Sequence, residues 1–374
     1  MRVFSIQGSL VGEVTSLSSS MDELCLPDQG FIWLTCTRDE FELRQVNIQA
    51  LLQRLCYLQL VDLHTADLLN EQLPSHYDYT SLYDVLVFHR LIAVDAQPEP
   101  SAKRSLPPIL RRIDTSPVGF VVLDRVLLSV HPQNCSMRDA YAHRLLTTSG
   151  DRQTPLTLPD SRSTGARGIP GNPADLMLRI VNYTVDGFLA LRRELSDQLD
   201  HWQAELLNPK TRFNNWSALL NARLFLHQLD NVCEDQHSAI QNWMEALKTW
   251  PDSDTTLNRE ARDMLQVRSR DVLEHIARVA NHVHRLEQSL ETAVQMHFSA
   301  QSHRTNEIMR TLTALTAIFL PLNLIAGIFG MNFEFIPMLH RSNGFWLTLT
   351  TMALIASTLV LFFWRKRYLT RTGR

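Results

Sequence analysis

Two uncharged stretches of 23 residues each, Thr311–Phe333 and Ser342–Trp364, lie near the end of the chain. A helix needs about 20 mostly apolar residues to cross the hydrocarbon core of a bilayer. Both stretches meet that length. Arg310 and Glu334 bound the first, and Arg341 and Arg365 bound the second. Only Glu334–Arg341 lies between them, which predicts a tight transmembrane hairpin. The tail RKRYLTRTGR carries five Lys or Arg in ten residues, whereas the short link has one Arg and one Glu. Basic segments stay on the inner side. This predicts two cytoplasmic termini in a multi-pass protein of the plasma (inner) membrane. Trp346 and Trp364 stand near the two ends of the second stretch, where amphipathic rings favour the interface.

The rest of the chain reads as a soluble protein. Overall it is 45% hydrophobic with a net charge of −3, which excludes bulk nucleic-acid binding because that needs a basic surplus. The five cysteines, Cys25, Cys36, Cys56, Cys135 and Cys233, are widely spaced with no CxxC pair. They read as reduced thiols in a cytosolic domain. The opening MRVFSIQGSLVGEV lacks a basic region followed by an apolar core, so no signal peptide is expected.

The predicted fold class is an α+β cytoplasmic domain followed by long helices and a two-helix transmembrane hairpin. Residues 1–150 read as mixed α/β. Strands are expected at Met1–Gln7, Phe31–Thr37, Tyr83–Leu91 and Phe120–Val130, and helices at Glu40–Leu58 and Met137–Thr147. Ala96–Pro117 is rich in Pro and basic residues and reads as weakly structured. Residues 151–173 form a Pro, Gly and Ser cluster that reads as a linker. Residues 174–250 form a long helical hairpin turning at Asn208–Pro209. From Asp252 to Leu320 there is neither Pro nor Gly. This predicts a stalk helix over 252–310 that runs into the first span, 311–333, with a break near Asn281 or Ser299 as the other reading. Val272, Ile276, Val279, Val283, Leu286 and Leu290 make a heptad seam along it. The outer loop is then 334–341, the second span 342–364 and the basic tail 365–374.

The first span is not uniformly apolar. Asn306, Met309, Thr313, Thr316, Leu320, Asn323 and Gly327 follow each other at steps of three or four and share one helix face. A polar side chain in a membrane helix needs protein or water beside it. One helix cannot enclose a pore, so either several copies surround an axis or these groups bond between helices. The face holds amides and hydroxyls but no charge. Mg²⁺ dehydrates reluctantly, and amide oxygens accept hydrogen bonds from its bound waters without trapping the ion. Apolar rings of Met309, Leu312 and Leu320 can close such a path by excluding water.

Gly330-Met331-Asn332, within IAGIFGMNFEFIP at the end of the first span, resembles the Gly-Met-Asn signature of the CorA family of magnesium and divalent-cation transporters. TNEIMRTLTALTAIFLPLNLIAG resembles that family's pore helix. The resemblance runs from about Arg270 to Leu369. It implies a homopentamer, funnel-like and embedded in the lipid bilayer, with one central pore. Gly330, Met331 and Asn332 are then the outer selectivity region. Asn306, Met309 and Leu312 line the cytoplasmic half, and Leu320 lines the middle. Asn323 stands where the family usually has Thr. Mg²⁺ is implied twice, as the transported ion and as a regulatory ion between neighbouring soluble domains. Asp271 and Glu274 fall where the family's helix carboxylate stands, and Asp67 in LHTADLL is the candidate partner. The family's loop commonly reads Met-Pro-Glu-Leu, whereas this chain has Ile336-Pro337-Met338-Leu339. Glu334 is the loop acid that remains.

The implied function is a channel-type transporter for Mg²⁺, with Co²⁺ and Ni²⁺ as further ions, driven by membrane potential and gated by intracellular Mg²⁺. A ZntB-like zinc transporter is the first alternative, drawn from His275, His282, His284, His297 and His303 on the long helix. A non-conducting, membrane-anchored Mg²⁺ sensor is the second. No enzyme is expected, since the chain has no P-loop, HExxH or GxSxG motif.

Overall fold

The computed structural model describes residues 1–8, 10–14, 24–93, 113–133, 135–150, 168–207, 216–250, 259–331 and 343–366. The strands are β1 (Arg2–Gln7), β2 (Leu10–Glu13), β3 (Phe31–Thr37), β4 (His76–Tyr79), β5 (Asp84–Ala93), β6 (Ile113–Val122) and β7 (Val126–His131). The helices are α1 (Arg38–Leu43), α2 (Gln45–Cys56), α3 (Asp62–Leu69), α4 (Ser136–Gly150), α5 (Pro173–Leu207), α6 (Trp216–Thr249), α7 (Arg259–Phe329) and α8 (Gly344–Arg365).

The seven strands form one sheet in the order β2-β1-β3-β7-β6-β5-β4. Only β3 and β7 pair in parallel. β3, FIWLTCT, is buried on both faces, with only Thr37 at its end partly open. Ile32, Leu34 and Cys36 point to one face and pack with Phe41, Ile48, Leu52 and Leu68 of α1–α3. Trp33 points to the other, stacked on Phe4 at 4.9 Å and edge-on to Tyr141 of α4 at 6.3 Å. Helices therefore cover both faces, and a central strand must be apolar on both. α3 approaches the sheet at Gly119, where an added Cβ would lie 2.3 Å from the end of the Leu68 side chain.

Buried polar groups are linked on the Trp33 side. The Trp33 indole Nε1–H donates to Ser129 Oγ at 2.8 Å, and Ser129 Oγ lies 2.9 Å from His131 Nε2. The indole only donates, so the hydroxyl proton is available to His131. Complete burial pushes the His131 pKa down to about 3, with Arg138, Arg90 and Arg38 adding repulsion, so the ring is neutral.

Several local details differ from the sequence reading. The single strand expected at Phe120–Val130 is a hairpin, β6 and β7, which reverses at Leu123–Arg125 with a 2.9 Å bond from Leu123 N to Val126 O. β6 begins at Ile113, inside the stretch read as weakly structured, and contains Pro117. Pro117 has no pairing partner in β7, whose ladder with β6 covers only Gly119–Val122. An imino residue is tolerated where one side of the strand is unpaired. The helix expected at Glu40–Leu58 is broken at Arg44, where φ is −115° and ψ is 18°. Phe41, Ile48, Leu52 and Leu55 keep helical spacing across that break, so periodicity concealed it. Thr37 and Glu40 form a capping box that starts α1 at Arg38.

The described residues fall into two units. The first comprises Met1–Glu205 and Phe213–Leu290, and the second Leu206–Arg212 and Glu291–Arg374. Within the first unit α5 and α7 run parallel. Their contacts advance together: Asp175–Arg268 at 2.5 Å, Asp186–His275 at 3.4 Å, Ser196–His282 at 3.1 Å and Gln203–Ser289 at 2.6 Å. α6 runs back against α7, with Trp243 Nε1 donating to Ser269 Oγ at 3.1 Å. All six residues of the heptad seam, from Val272 to Leu290, are buried. α7 runs unbroken for 71 residues, through both Asn281 and Ser299, and extends past Pro321 to Phe329. At about 1.5 Å per residue it is about 105 Å long.

Ser129→Ala is expected to lower the thermal midpoint of the full chain in detergent. The change strands the buried Trp33 N–H and His131 Nε2, which costs about 1–3 kcal/mol. An unchanged midpoint would show that the hydroxyl carries none of this core.

Candidate functional site

The second unit contains the two segments long and apolar enough to cross a membrane, with mean hydropathy of 2.0 over an 18-residue stretch of α7 and 1.9 over one of α8. No residue of α8 is buried. In the span of α7 from Thr311 to Met331 only Ala314 and Ile318 are buried by the chain itself. Phe319, Leu320, Leu324, Ile328, Leu347, Leu354 and Phe362 are among the large apolar side chains left exposed. Lipid or neighbouring copies must cover such surface, because a water-soluble chain rarely exposes so large an apolar area.

The polar stripe read from the sequence lies on one face of a span that is mostly exposed. Asn306, Met309, Thr313, Thr316, Leu320, Asn323 and Gly327 are all exposed, as is Leu312 at the stripe's edge. At about 100° per residue, the centre of this stripe lies about 150° from Ala314 and Ile318. The side covered by the chain and the polar stripe are therefore nearly opposite. Thr313 Oγ donates to Met309 O and Thr316 Oγ to Leu312 O, each at 2.8 Å. Pro321 has no N–H, so the carbonyl of Ala317 lacks its helical donor. Gly330 and Met331 end the helix, with Gly330 N donating to Ala326 O at 2.9 Å. Asn332, Glu334 and the outer loop, including Met338, lie outside the described residues.

The carboxylates read as a regulatory set lie in the first unit. Asp271 on α7 is about half exposed, 3.7 Å from His275 Nε2. Glu274 is exposed and pairs with Arg278 at 2.5 Å. Asp67 on α3 is mostly covered and sits 3.8 Å from His76 Nε2. Among the described residues of one chain, no three His, Cys, Asp or Glu side chains converge as a metal site. Asp271 does line a cleft of about 490 Å³ between α4, α5 and α7, shared with Asn182, Asp186, Arg179 and Arg268. Among the described residues, Asn182 Oδ1 is buried there without a hydrogen-bond partner. The sequence reading missed Asn182 and Asp186, although their spacing of four puts both on one face of a helix.

Among the described residues, the five histidines on α7 do not converge as a metal site. His275 lies between Asp186 and Asp271, His282 meets Ser196, His284 meets Gln288, and His297 Nδ1 lies 2.7 Å from Leu206 O.

Residues 28–367 match the family described as CorA-like Mg²⁺ transporter protein. The cobalt/magnesium transport protein CorA of Thermotoga maritima is 27% identical over 201 residues, which are 52% of this chain and 52% of that protein. The match thus spans about half the length of that curated relative. The complete structure of the CorA magnesium transporter from Methanocaldococcus jannaschii superposes with a TM-score of 0.68 at 18% identity, covering 100% of this chain and 98% of that one. The full-length CmaX protein superposes with a TM-score of 0.65 at 16% identity, covering 98% and 97% of the two chains. At these identities the likeness establishes the fold.

The opposed faces of the α7 span are open to a labelling test. In a background lacking the native cysteines, a cysteine at Met309, Thr313 or Asn323 is expected to react with a small water-soluble thiol reagent in membranes. A cysteine at Ala314 or Ile318 is expected to be protected. Equal labelling at all five positions would contradict a water-lined stripe.

Proposed function

This chain belongs to the family of CorA-like Mg²⁺ transporter proteins, and we propose that it carries hydrated divalent cations, Mg²⁺ first and Co²⁺ and Ni²⁺ with it, through a central pore. Five copies place their α7 stripes around one axis, and the α8 helices lie behind, toward lipid. The basic tail keeps both termini in the cytoplasm, in the inner membrane. The observation that carries this reading is the exposed stripe from Asn306 to Gly327, which leads directly into Gly330 and Met331 and lies opposite the side the chain covers for itself. The stripe bears oxygen acceptors and apolar groups but no fixed charge. That suits an ion that keeps its water shell and has to leave as readily as it enters. The Asn332 amide meets the water shell at the outer mouth, with Glu334 nearby as the loop acid. Asn323 adds a second amide ring deeper in. Membrane potential supplies the drive, about 2.3 kcal/mol per charge per 100 mV, and twice that for a divalent ion.

Asp271, with Glu274 and with Asp67 of a neighbouring copy, is our candidate for a regulatory Mg²⁺ site. The donor set is all oxygen, which suits Mg²⁺. Asn182 and Asp186 add oxygens in the same cleft, and the buried, unpartnered Oδ1 of Asn182 is an acceptor in need of a donor or a cation. Bound Mg²⁺ holds neighbouring copies together, and its loss leaves their carboxylates repelling one another. A ligand that binds the closed form better than the open one closes the pore at Met309 and Leu312.

Asn332→Ala is expected to abolish Mg²⁺ uptake in cells lacking other importers, with the protein still inserted and assembled. Normal uptake by this variant would remove Asn332 from the selectivity region. Asp271→Ala is expected to weaken inhibition by cytoplasmic Mg²⁺ and to reduce Mg²⁺-dependent protection of the first unit from proteolysis. If inhibition and protection both match the wild type, Asp271 is a surface charge.

A further inference from the structure

The stripe on α7 has an apolar part and a hydroxyl within it. Leu312 and Leu320 are eight residues apart, so their side chains are about 12 Å apart along the helix axis. An apolar constriction of that length excludes water and opposes an ion that travels hydrated. Thr316 stands halfway between them, about 6 Å from each, on the same exposed face.

The hydrogen bond of Thr316 sets what its hydroxyl can do. A hydroxyl has one proton and two lone pairs. The Thr316 proton is committed to the Leu312 carbonyl at 2.8 Å. The oxygen therefore presents lone pairs only. Thr313 is in the same state through its 2.8 Å bond to Met309 O. Thr311 makes the equivalent bond to Glu307 O at 2.9 Å, but about 170° away from the stripe's centre. The bond is common to all three threonines, and placement singles out Thr316.

Resting on the transport reading above, we infer that Thr316, supported by Thr313, forms an acceptor-only hydroxyl ring inside the apolar gate that receives the water shell of a divalent cation. Waters bound to a cation turn their hydrogens outward, so they need acceptors. The ring supplies one from each copy. It divides a dry length of about 12 Å into two of about 6 Å, short enough for water held by the ring to bridge. An anion needs donors, and the ring has no proton to give unless the helix loses its Thr316–Leu312 bond. The gate thus remains closed to anions while it admits a hydrated cation.

The test uses the full chain in cells lacking other Mg²⁺ importers, with uptake normalised to protein in the membrane. Thr316→Val keeps the shape and the β-branch but removes the acceptor. It is expected to slow uptake by about tenfold, the scale of a lost hydrogen bond to a charged species. Thr316→Ser keeps the acceptor and should stay within about twofold of the wild type. Thr311→Val, on the opposite side, should match the wild type. Thr316→Ala is a second variant without the hydroxyl, in case valine disturbs assembly. Wild-type uptake by either hydroxyl-free variant, alongside an inactive Asn332→Ala, would overturn the ring and leave transport standing. Absence of uptake by the wild type itself would overturn the transport reading, and the ring with it.

Discussion

Few residues of the chain's two apolar spans are buried by the chain itself. α8 has no buried residue, and the α7 span buries only Ala314 and Ile318. Much else about the molecule depends on that constraint. A helix satisfies its own backbone and can stand in hydrocarbon, but the exposed amide of Asn323 cannot face lipid without cost. The polar stripe on α7 therefore needs water or other copies beside it. A membrane position, with the assembly proposed above, meets that need.

The same helix continues into a different environment. Over Val272–Leu290 its apolar seam is buried within the first unit, against parallel α5 and antiparallel α6. The seam steps by three and four, the spacing of packed helices. Beyond Leu290 most of its described residues are exposed, those of the stripe among them. One unbroken helix of 71 residues thus has a packed segment and a largely uncovered one. Asp271 and the stripe residues Met309, Leu312 and Thr316 stand on this one helix.

Where a physical signal repeats along the chain, the fold was legible in the sequence. The spans, the heptad seam, β1 and β3 all follow from periodicity or continuous apolarity. The errors arose where a short-range reversal interrupts such a pattern. Asp124-Arg125 turns β6 into β7 inside a run of strand-forming residues, and Arg44 breaks a helix whose apolar spacing continues through it. β2 and β4, four residues each, are too short to be periodic and owe their place to their neighbours. The stripe itself was legible from spacing alone. The commitment of the threonine protons was not, because it depends on side-chain geometry. Neither was the cleft that joins Asp271 to Asn182 and Asp186, since α5 and α7 are distant in sequence.

The most direct measurement is ion flux through the purified full chain in sealed liposomes. A Mg²⁺-sensitive dye is enclosed, and an inside-negative potential is set with K⁺ and valinomycin. Mg²⁺ entry is predicted to exceed that of empty liposomes, to grow as the interior is made more negative, and to be reduced by external Co²⁺ and Ni²⁺. Dye signals no larger than those of empty liposomes at every potential, from correctly inserted protein, would contradict a conducting pore lined by the α7 stripe.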